Sequence, residues 1–173
     1  QTCALPICPL ALADLAQVRA WRNAPEVRRH MFTTHEVAED EHRRWFERVS
    51  ADPARRLWLF ERDGQPLGFV QFGGVAPGAV SEWGFYAAPD APRGTGRALG
   101  TLALDRAFGE LGLHKVCGQA LGGNAASIRF HQALGFVAEG VLRQQHRDAE
   151  GRHHDIHCFG LLRTEWPPTK EPA

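Results

Sequence analysis

The sequence predicts an α/β sandwich: a mixed, mostly antiparallel sheet with helices covering its faces. Three observations predict it. Two helix-forming segments come first, three short strands follow with only turns between them, and a helix, a strand, a helix and a hairpin complete the chain. A fully wound parallel sheet does not fit, because a parallel pair needs a crossover of about a dozen residues and the early strands lack one. The 173 residues, 43% of them hydrophobic, suit one domain with its own core. That domain is expected over residues 9–166, with 1–8 and 167–173 as terminal tails.

Helix formers dominate residues 11–20, where Leu15, Val18 and Trp21 follow helical spacing. They dominate again over 39–49, where Phe46 and Val49 do so and Trp45 adds aromatic bulk. Between them Trp21-Arg22-Asn23-Ala24-Pro25 begins a polar, Arg-rich loop, since proline starts or interrupts a helix. Residues 57–61 and 67–72 read as strands joined through Asp63-Gly64, a pair that supplies the positive dihedrals of a tight hairpin. Residues 80–87 form a third strand, rich in aromatics and ended by Pro89 and Pro92. Over 97–111 a wide apolar face predicts a helix, with Gly112 as its stop. Residues 115–121 are a fourth strand. Asn124 caps the next helix, which runs to Leu134 and stops at Gly135. Residues 137–145 and 154–162 read as a closing antiparallel pair, with Asp148, Glu150 and Gly151 in its turn.

Twenty basic residues balance twenty acidic ones, which gives no support for general attraction to nucleic acid or to a membrane surface. No apolar run approaches the roughly 20 residues that span a bilayer. The start, Gln1-Thr2-Cys3-Ala4-Leu5-Pro6-Ile7-Cys8, lacks an initiator Met and a basic lead into a long apolar stretch. It is not read as a signal peptide and carries no functional weight. Cys3, Cys8, Cys117 and Cys158 are too scattered for a disulfide scaffold and contain no CxxC pair, so a cytoplasmic setting fits. His153, Asp155 and His157 share one side of a strand, but without a recognised fourth ligand no metal is expected.

The most informative stretch is Arg93-Gly94-Thr95-Gly96-Arg97-Ala98, which follows a strand and opens a helix. Glycines let the backbone approach a ligand closely, and the first amides of a helix point outward, toward an anion. Arg93 and Arg97 add charge at the rim. Two readings fit the spacing: a diphosphate cradle, or a surface turn that happens to contain glycines. A Walker-type loop lacks its Gly-Lys-Ser/Thr, and a dinucleotide fingerprint would follow an initial βαβ unit, not a meander.

Arg93-x-x-Gly96-x-Ala98, followed by Asn124-x-x-Ser127 and Leu134-Gly135-Phe136, resembles the GCN5-related N-acetyltransferase (GNAT) superfamily. The resemblance implies acetyl-CoA as cosubstrate, its pyrophosphate on the loop of Arg93, Gly94, Thr95, Gly96, Arg97 and Ala98. Its pantetheine arm would lie in a slot between two splayed parallel strands, one ending at Ala87 and one beginning at Lys115. Asn124 and Ser127 complete the cofactor set, with backbone of Phe85 and Ala87. A second resemblance runs from Pro9 to Trp166. Trp21-Arg22-Asn23, Glu41-His42-x-x-Trp45-Phe46, Glu82-Trp83-Gly84-Phe85-Tyr86, Leu113-His114-Lys115 and Glu139-Gly140-Val141-Leu142-Arg143 recur in order. It is similar to the sugar-nucleotide acetyltransferases of pseudaminic acid biosynthesis. That implies direct transfer, in a ternary complex, to the 4-amine of UDP-4-amino-4,6-dideoxy-N-acetyl-β-L-altrosamine. The sequence does not reveal the oligomeric state; a homodimer is the one protein partner considered. Ribosomal-protein N-terminal acetyltransferases share the Glu139 to Arg143 segment, so a protein N-terminus is an alternative acceptor. A non-catalytic acyl-CoA-binding module is the alternative of another class.

Direct transfer makes three demands. The amine must shed a proton, the thioester oxygen must meet donors, and the leaving thiolate must gain a proton. Glu82, on the strand before the loop, is the leading base; its bland reading is an exposed strand carboxylate. The resemblance assigns the oxyanion donor to backbone from Phe85 to Ala87, aimed by a strand bulge. His131 stands where the superfamily usually has Tyr and is the candidate acid, one turn from Ser127 on the same helix face. Its bland reading is a polar helix residue beside the pocket. Tyr86, the only tyrosine, lines the sugar pocket or donates a proton. The resemblance places the two early helices over the acceptor, making Arg22 and His42 the substrate candidates, with Arg28 and Arg29 as nearby alternatives. Trp21 and Trp45 read as packing residues.

Overall fold

The computed structural model describes residues 6–167; residues 1–5, with Cys3, and the C-terminal stretch 168–173 lie outside the described residues. In chain order the elements are β1 (Ile7–Pro9), α1 (Leu15–Asn23), α2 (Pro25–Arg28), α3 (Glu39–Ser50), β2 (Arg55–Arg62), β3 (Gln65–Gly73) and β4 (Val80–Ala87). There follow α4 (Thr95–Phe108), β5 (Lys115–Leu121), α5 (Ala125–Ala133), β6 (Val137–Arg147) and β7 (His153–Leu162). The strands form one mixed sheet in the order β1-β2-β3-β4-β5-β7-β6. Every neighbouring pair is antiparallel except β4 with β5. The expected α/β class, mixed sheet and flanking helices are therefore present.

Alternation along the strands divides the core in two. Trp58, Phe60, Val70 and Phe72 point to the face covered by Leu99, Ala103, Leu104 and Phe108 of α4. Leu57, Leu59 and Phe69 point to the opposite face, against Val18 and Trp21 of α1 and Val49 of α3. Each such side chain contributes about 1.5–3 kcal/mol when fully buried. The hairpin between β2 and β3 turns at Asp63 (φ 52°) and Gly64 (φ 73°), as that dipeptide requires.

Several boundaries differ from expectation. Ile7 and Cys8, read as part of a tail, form β1 and are buried against β2; three residues are too few to carry a period. The first helix starts at Leu15, after a 3₁₀ turn over Leu12–Asp14. α4 starts at Thr95, two residues before Arg97, and ends at Phe108, while Gly112 sits beyond it in the loop at φ 62°. β6 carries two irregularities, between Ala138/Gly140 and between Leu142/His146. In the second, Gln144 turns to φ 52° and its amide donates to Asp155 Oδ1 at 2.7 Å.

Candidate active site

The site is built where β4 and β5 part. Their parallel pairing covers Val80↔Lys115, Ser81↔Val116 and Glu82↔Cys117, then stops, although β4 continues to Ala87 and β5 to Leu121. The next residues are Trp83 and Gly118. Trp83 Nε1–H donates to His131 Nε2 at 3.2 Å, and both rings lie against the Gly118 backbone. A Cβ on Gly118 would overlap His131 Nε2 and come within 2.8 Å of Trp83 Nε1. Glycine thus lets the Trp83–His131 pair pack directly on the β5 backbone, one residue past the last pairing. A cavity of about 900 Å³ opens there, lined among others by Glu82, Phe85, Tyr86, Gly118, Ser127 and Phe130.

The β4 backbone supplies donors to this slot. Ala88 N–H donates to Leu67 O of β3 at 2.8 Å, so even-numbered β4 residues face β3 with their amides. The amides of Phe85 and Ala87 then point the other way, toward the gap left by β5. The bulge expected in this strand is absent: β3 and β4 pair from Gly68↔Ala87 to Gly73↔Glu82 without a register shift. Separation from β5, not a bulge, frees these amides.

At the mouth lies the turn into α4. Gly94 is the helix N-cap at φ 87°, a conformation that favours glycine. Thr95 is buried, and its Oγ1 donates to Pro92 O at 2.7 Å. Ala98 N–H donates to Gly94 O at 3.0 Å, the first bond of the helical ladder. The amides of Gly96 and Arg97 precede that ladder and point outward. Arg93 and Arg97 are exposed at the rim. A positive-φ glycine, two outward amides and two flanking guanidiniums fit a diphosphate. Of this loop Gly96 lines the cavity, beside Asn124 and Ser127 of the α5 start. Asn124 Oδ1 accepts the Ser127 N–H at 3.1 Å, so its carbonyl serves as the expected helix cap.

Glu82, Gly84 and Tyr86 share the face of β4 that looks toward α1 and α3. Glu82 is exposed, lines the cavity and is the last β4 residue paired with β5. Tyr86 also lines the cavity and packs on Phe69 at 5.3 Å; burial pushes its hydroxyl pKa well above the usual range, with Arg22 opposing. The remaining wall was not foreseen. His30, Met31 and Phe32 come from the segment after α2, and Arg55 and Gln71 from β2 and β3. None of these stands in a motif, and only strand register and the path of the loop bring them together.

Arg22 and His42, expected to touch the acceptor, are not among the residues that line the cavity. Arg22 Nη2 donates to Thr33 O at 2.7 Å and to its Oγ1 at 3.0 Å, tying down the loop that carries Met31 and Phe32. Burial lowers its pKa. His42 is buried and stacks on Trp45, ring centroids 5.0 Å apart; burial lowers its pKa, and Arg19 and Arg22 add to the effect. Arg22 thus braces the wall from behind, through Thr33. Of the two alternatives, Arg28 approaches Glu36 at 3.7 Å and Arg29 Nε donates to His30 Nε2 at 3.2 Å.

His131 lines the cavity, and both of its ring nitrogens are engaged. The ring is 1% exposed and stacks on Phe159 at 4.9 Å. With Trp83 donating to Nε2, Nδ1 carries the proton and donates to Ser127 O at 2.8 Å. Burial pushes its pKa below the ordinary value, against the opposing pull of the Ser127 bond. With both nitrogens engaged, the ring has to release Trp83 or Ser127 before it can act as the expected acid. No group of three or more His, Cys, Asp or Glu able to hold a metal occurs among the described residues. No described helix is long and apolar enough to cross a membrane.

The family model of the acetyltransferase (GNAT) domain matches residues 5–137. Acetyltransferase PseH of Campylobacter jejuni is 25% identical over 124 residues, 72% of this chain and 77% of that protein. The crystal structure of spermidine N-acetyltransferase from Vibrio cholerae in complex with CoA and spermine shares the fold. Its TM-score is 0.84 at 24% identity, over 92% of this chain and 95% of that one. Ribosomal-protein-alanine N-acetyltransferase from Brucella melitensis has a TM-score of 0.77 at 27% identity, over 91% of this chain and 99% of that one. The matched span takes in the fork of β4 and β5, the turn into α4 and the capped start of α5, and with them the chain belongs to the GNAT acetyltransferase family, as an acetyl-CoA-dependent N-acetyltransferase.

Proposed function

We propose that this enzyme acetylates the 4-amine of a UDP-linked aminodideoxy sugar of the UDP-4-amino-4,6-dideoxy-N-acetyl-β-L-altrosamine type, by direct attack in a ternary complex. The observation that carries direct attack is the position of Glu82. It is the last β4 residue before the strands part, on the acceptor side of the slot, with its carboxylate in the cavity. Similarity to PseH supports the sugar acceptor. So does a wall that mixes aromatic side chains, Phe32 and Tyr86, with the donors of His30 and Arg55.

Each residue then has a task. The Gly96 and Arg97 amides hold the diphosphate of acetyl-CoA, which supplies the thioester. Glu82 attracts the ammonium group and takes the proton it sheds. The Phe85 and Ala87 amides face the slot as donors to the developing oxyanion. Tyr86 lines the cavity and is the donor proposed for the departing sulfur, since His131 is engaged by Trp83 and Ser127.

The test is release of free CoA from acetyl-CoA in the presence of the UDP-4-amino sugar. Glu82→Gln is expected to lower kcat by about 100-fold or more, the scale of general base catalysis, without weakening CoA binding. Equal rates in the two proteins would remove Glu82 as base. Turnover of alanine-initiated peptides with none of the sugar nucleotide would replace the acceptor, as the likeness to the ribosomal-protein-alanine enzyme allows.

A further inference from the structure

The floor of the acceptor cavity holds a polar pair that acetyl transfer itself does not need. Arg55 opens β2 and is paired with Gly73 of β3, which is paired in turn with Glu82 of β4. The three form one row across the sheet, all on the acceptor face. Gly73 has no side chain, so that of Arg55 lies flat across it; a Cβ there would meet Arg55 Nη1 at 2.8 Å. One row further, Gln71 lies over Gly84 in the same way, its Nε2 3.5 Å from where a Cβ would stand. Arg55 Nη2 donates to Gln71 Oε1 at 3.1 Å. With its oxygen committed, Gln71 turns the two N–H donors of Nε2 outward. Arg55 Nε is buried and has no hydrogen-bond partner among the described residues. Arg55, Gln71 and Glu82 all line the cavity.

We infer that Arg55 and Gln71 form an acceptor-reading pair, selecting amines that carry an oxygen acceptor close to the reacting nitrogen and rejecting polyamines. This row offers donors only, from a guanidinium and a carboxamide, next to Glu82, which receives the amine; the cavity's other carboxylates, Glu26 on α2 and Glu139 on β6, lie outside the row, and Glu139 is paired with Lys115. A carbonyl, hydroxyl or anionic oxygen beside that amine satisfies donors otherwise left open, and leaving buried donors unmet is costly. A polyamine brings no oxygen and places a further ammonium near a fixed guanidinium. The inference rests on the reading that Glu82 receives the acceptor amine. It reaches beyond that reading because it applies to any oxygen-bearing acceptor, an acylated aminosugar or a peptide N-terminus alike.

The experiment compares wild type with Arg55→Met and Gln71→Leu on three acceptors: the UDP-4-amino sugar, an alanine-initiated peptide and spermidine. Wild type is expected to favour an oxygen-bearing acceptor over spermidine by on the order of 10⁴-fold in kcat/KM, as a site built to hydrogen-bond an oxygen discriminates against ligands without one. Both variants are expected to raise KM for that acceptor by about 10-fold, with kcat and the KM of acetyl-CoA little changed. Arg55→Lys should recover part of the loss. Spermidine turned over as well as any oxygen-bearing amine, or KM unmoved in both variants, overturns the inference. If the sugar is inert but the peptide shows the Arg55-dependent KM, the inference stands and the sugar reading fails. If the sugar is turned over and Glu82→Gln abolishes that transfer while neither floor variant alters KM, the inference fails and the proposed function stands. Calorimetry of the sugar nucleotide and the peptide against the enzyme–CoA complex reads the same dependence without turnover, and equal affinity in wild type and both variants counts against it.

Discussion

At Gly118 the β5 backbone passes beneath the Trp83–His131 pair, and one ring's two nitrogens brace α5 and tie it to β4. Nδ1 holds Ser127 of its own helix and Nε2 holds β4 through Trp83. His131→Phe keeps the ring volume but strands the Trp83 N–H. It is expected to cost about 1–3 kcal/mol of stability, the penalty for an orphaned buried donor. The kcat should stay within about 10-fold of wild type, because a general acid's loss would cost on the order of 100-fold or more. Thermal unfolding and steady-state kinetics check the two halves separately. Gly118→Ala should do more damage, since its Cβ meets ring and backbone together. The spacing of Ser127 and His131 was legible in the sequence because helix geometry fixes it. The Trp83 partner, 48 residues away, was not. Residue type alone points to an acid; the two hydrogen bonds that brace the ring are visible only in the fold.

The turn into α4 separates conformation from ligand approach. Gly94 sits at φ 87°, where any side chain is strained whatever the space around it. Gly94→Ala is expected to lower stability by about 1–2 kcal/mol and to weaken CoA by disturbing the amides that follow. Gly96 has an ordinary backbone, and a Cβ there would meet Phe130 at 3.6 Å, a normal contact. Gly96→Ala should leave the unfolding midpoint nearly unchanged and still weaken CoA by about 10-fold, because the methyl stands where the diphosphate approaches. Calorimetry with CoA, beside thermal melts, gives both readings; a Gly96→Ala protein with full CoA affinity would remove that amide from the cradle. At this scale the sequence was most readable. The apolar face of α4, the Asn124 cap and the Asp63-Gly64 turn were each set by local chemistry. β1 was not, with three residues and no period, nor was the register that lays Arg55 and Gln71 over glycines.

Across the molecule, the sheet holds one parallel pair at its centre, and burial of imidazoles on either side links its stability to pH. His131 lies on the α4 and α5 side and His42 on the α1 and α3 side, and both have pKa values lowered from the ordinary 6.5 chiefly by burial. The unfolded chain therefore takes up these protons first. The contribution of both rings to stability is complete above about pH 6.5 and is lost as pH falls through their folded values. Asp148 does not act in this window. Its carboxyl is held well below the ordinary 3.8, first by the hydrogen bond to His154, so its pairing persists until far stronger acid. The unfolding midpoint should be flat between about pH 8 and 7 and should drop by several degrees on going to about pH 5. His30 is lowered as well, by burial and by Arg29, so His131→Phe removes one of three such rings, and its midpoint should start lower and fall less steeply. Melts of wild type and variant across that range decide it: equal slopes would mean that His131 keeps its proton affinity on folding, and the neutral strut between β4 and α5 would have to be abandoned.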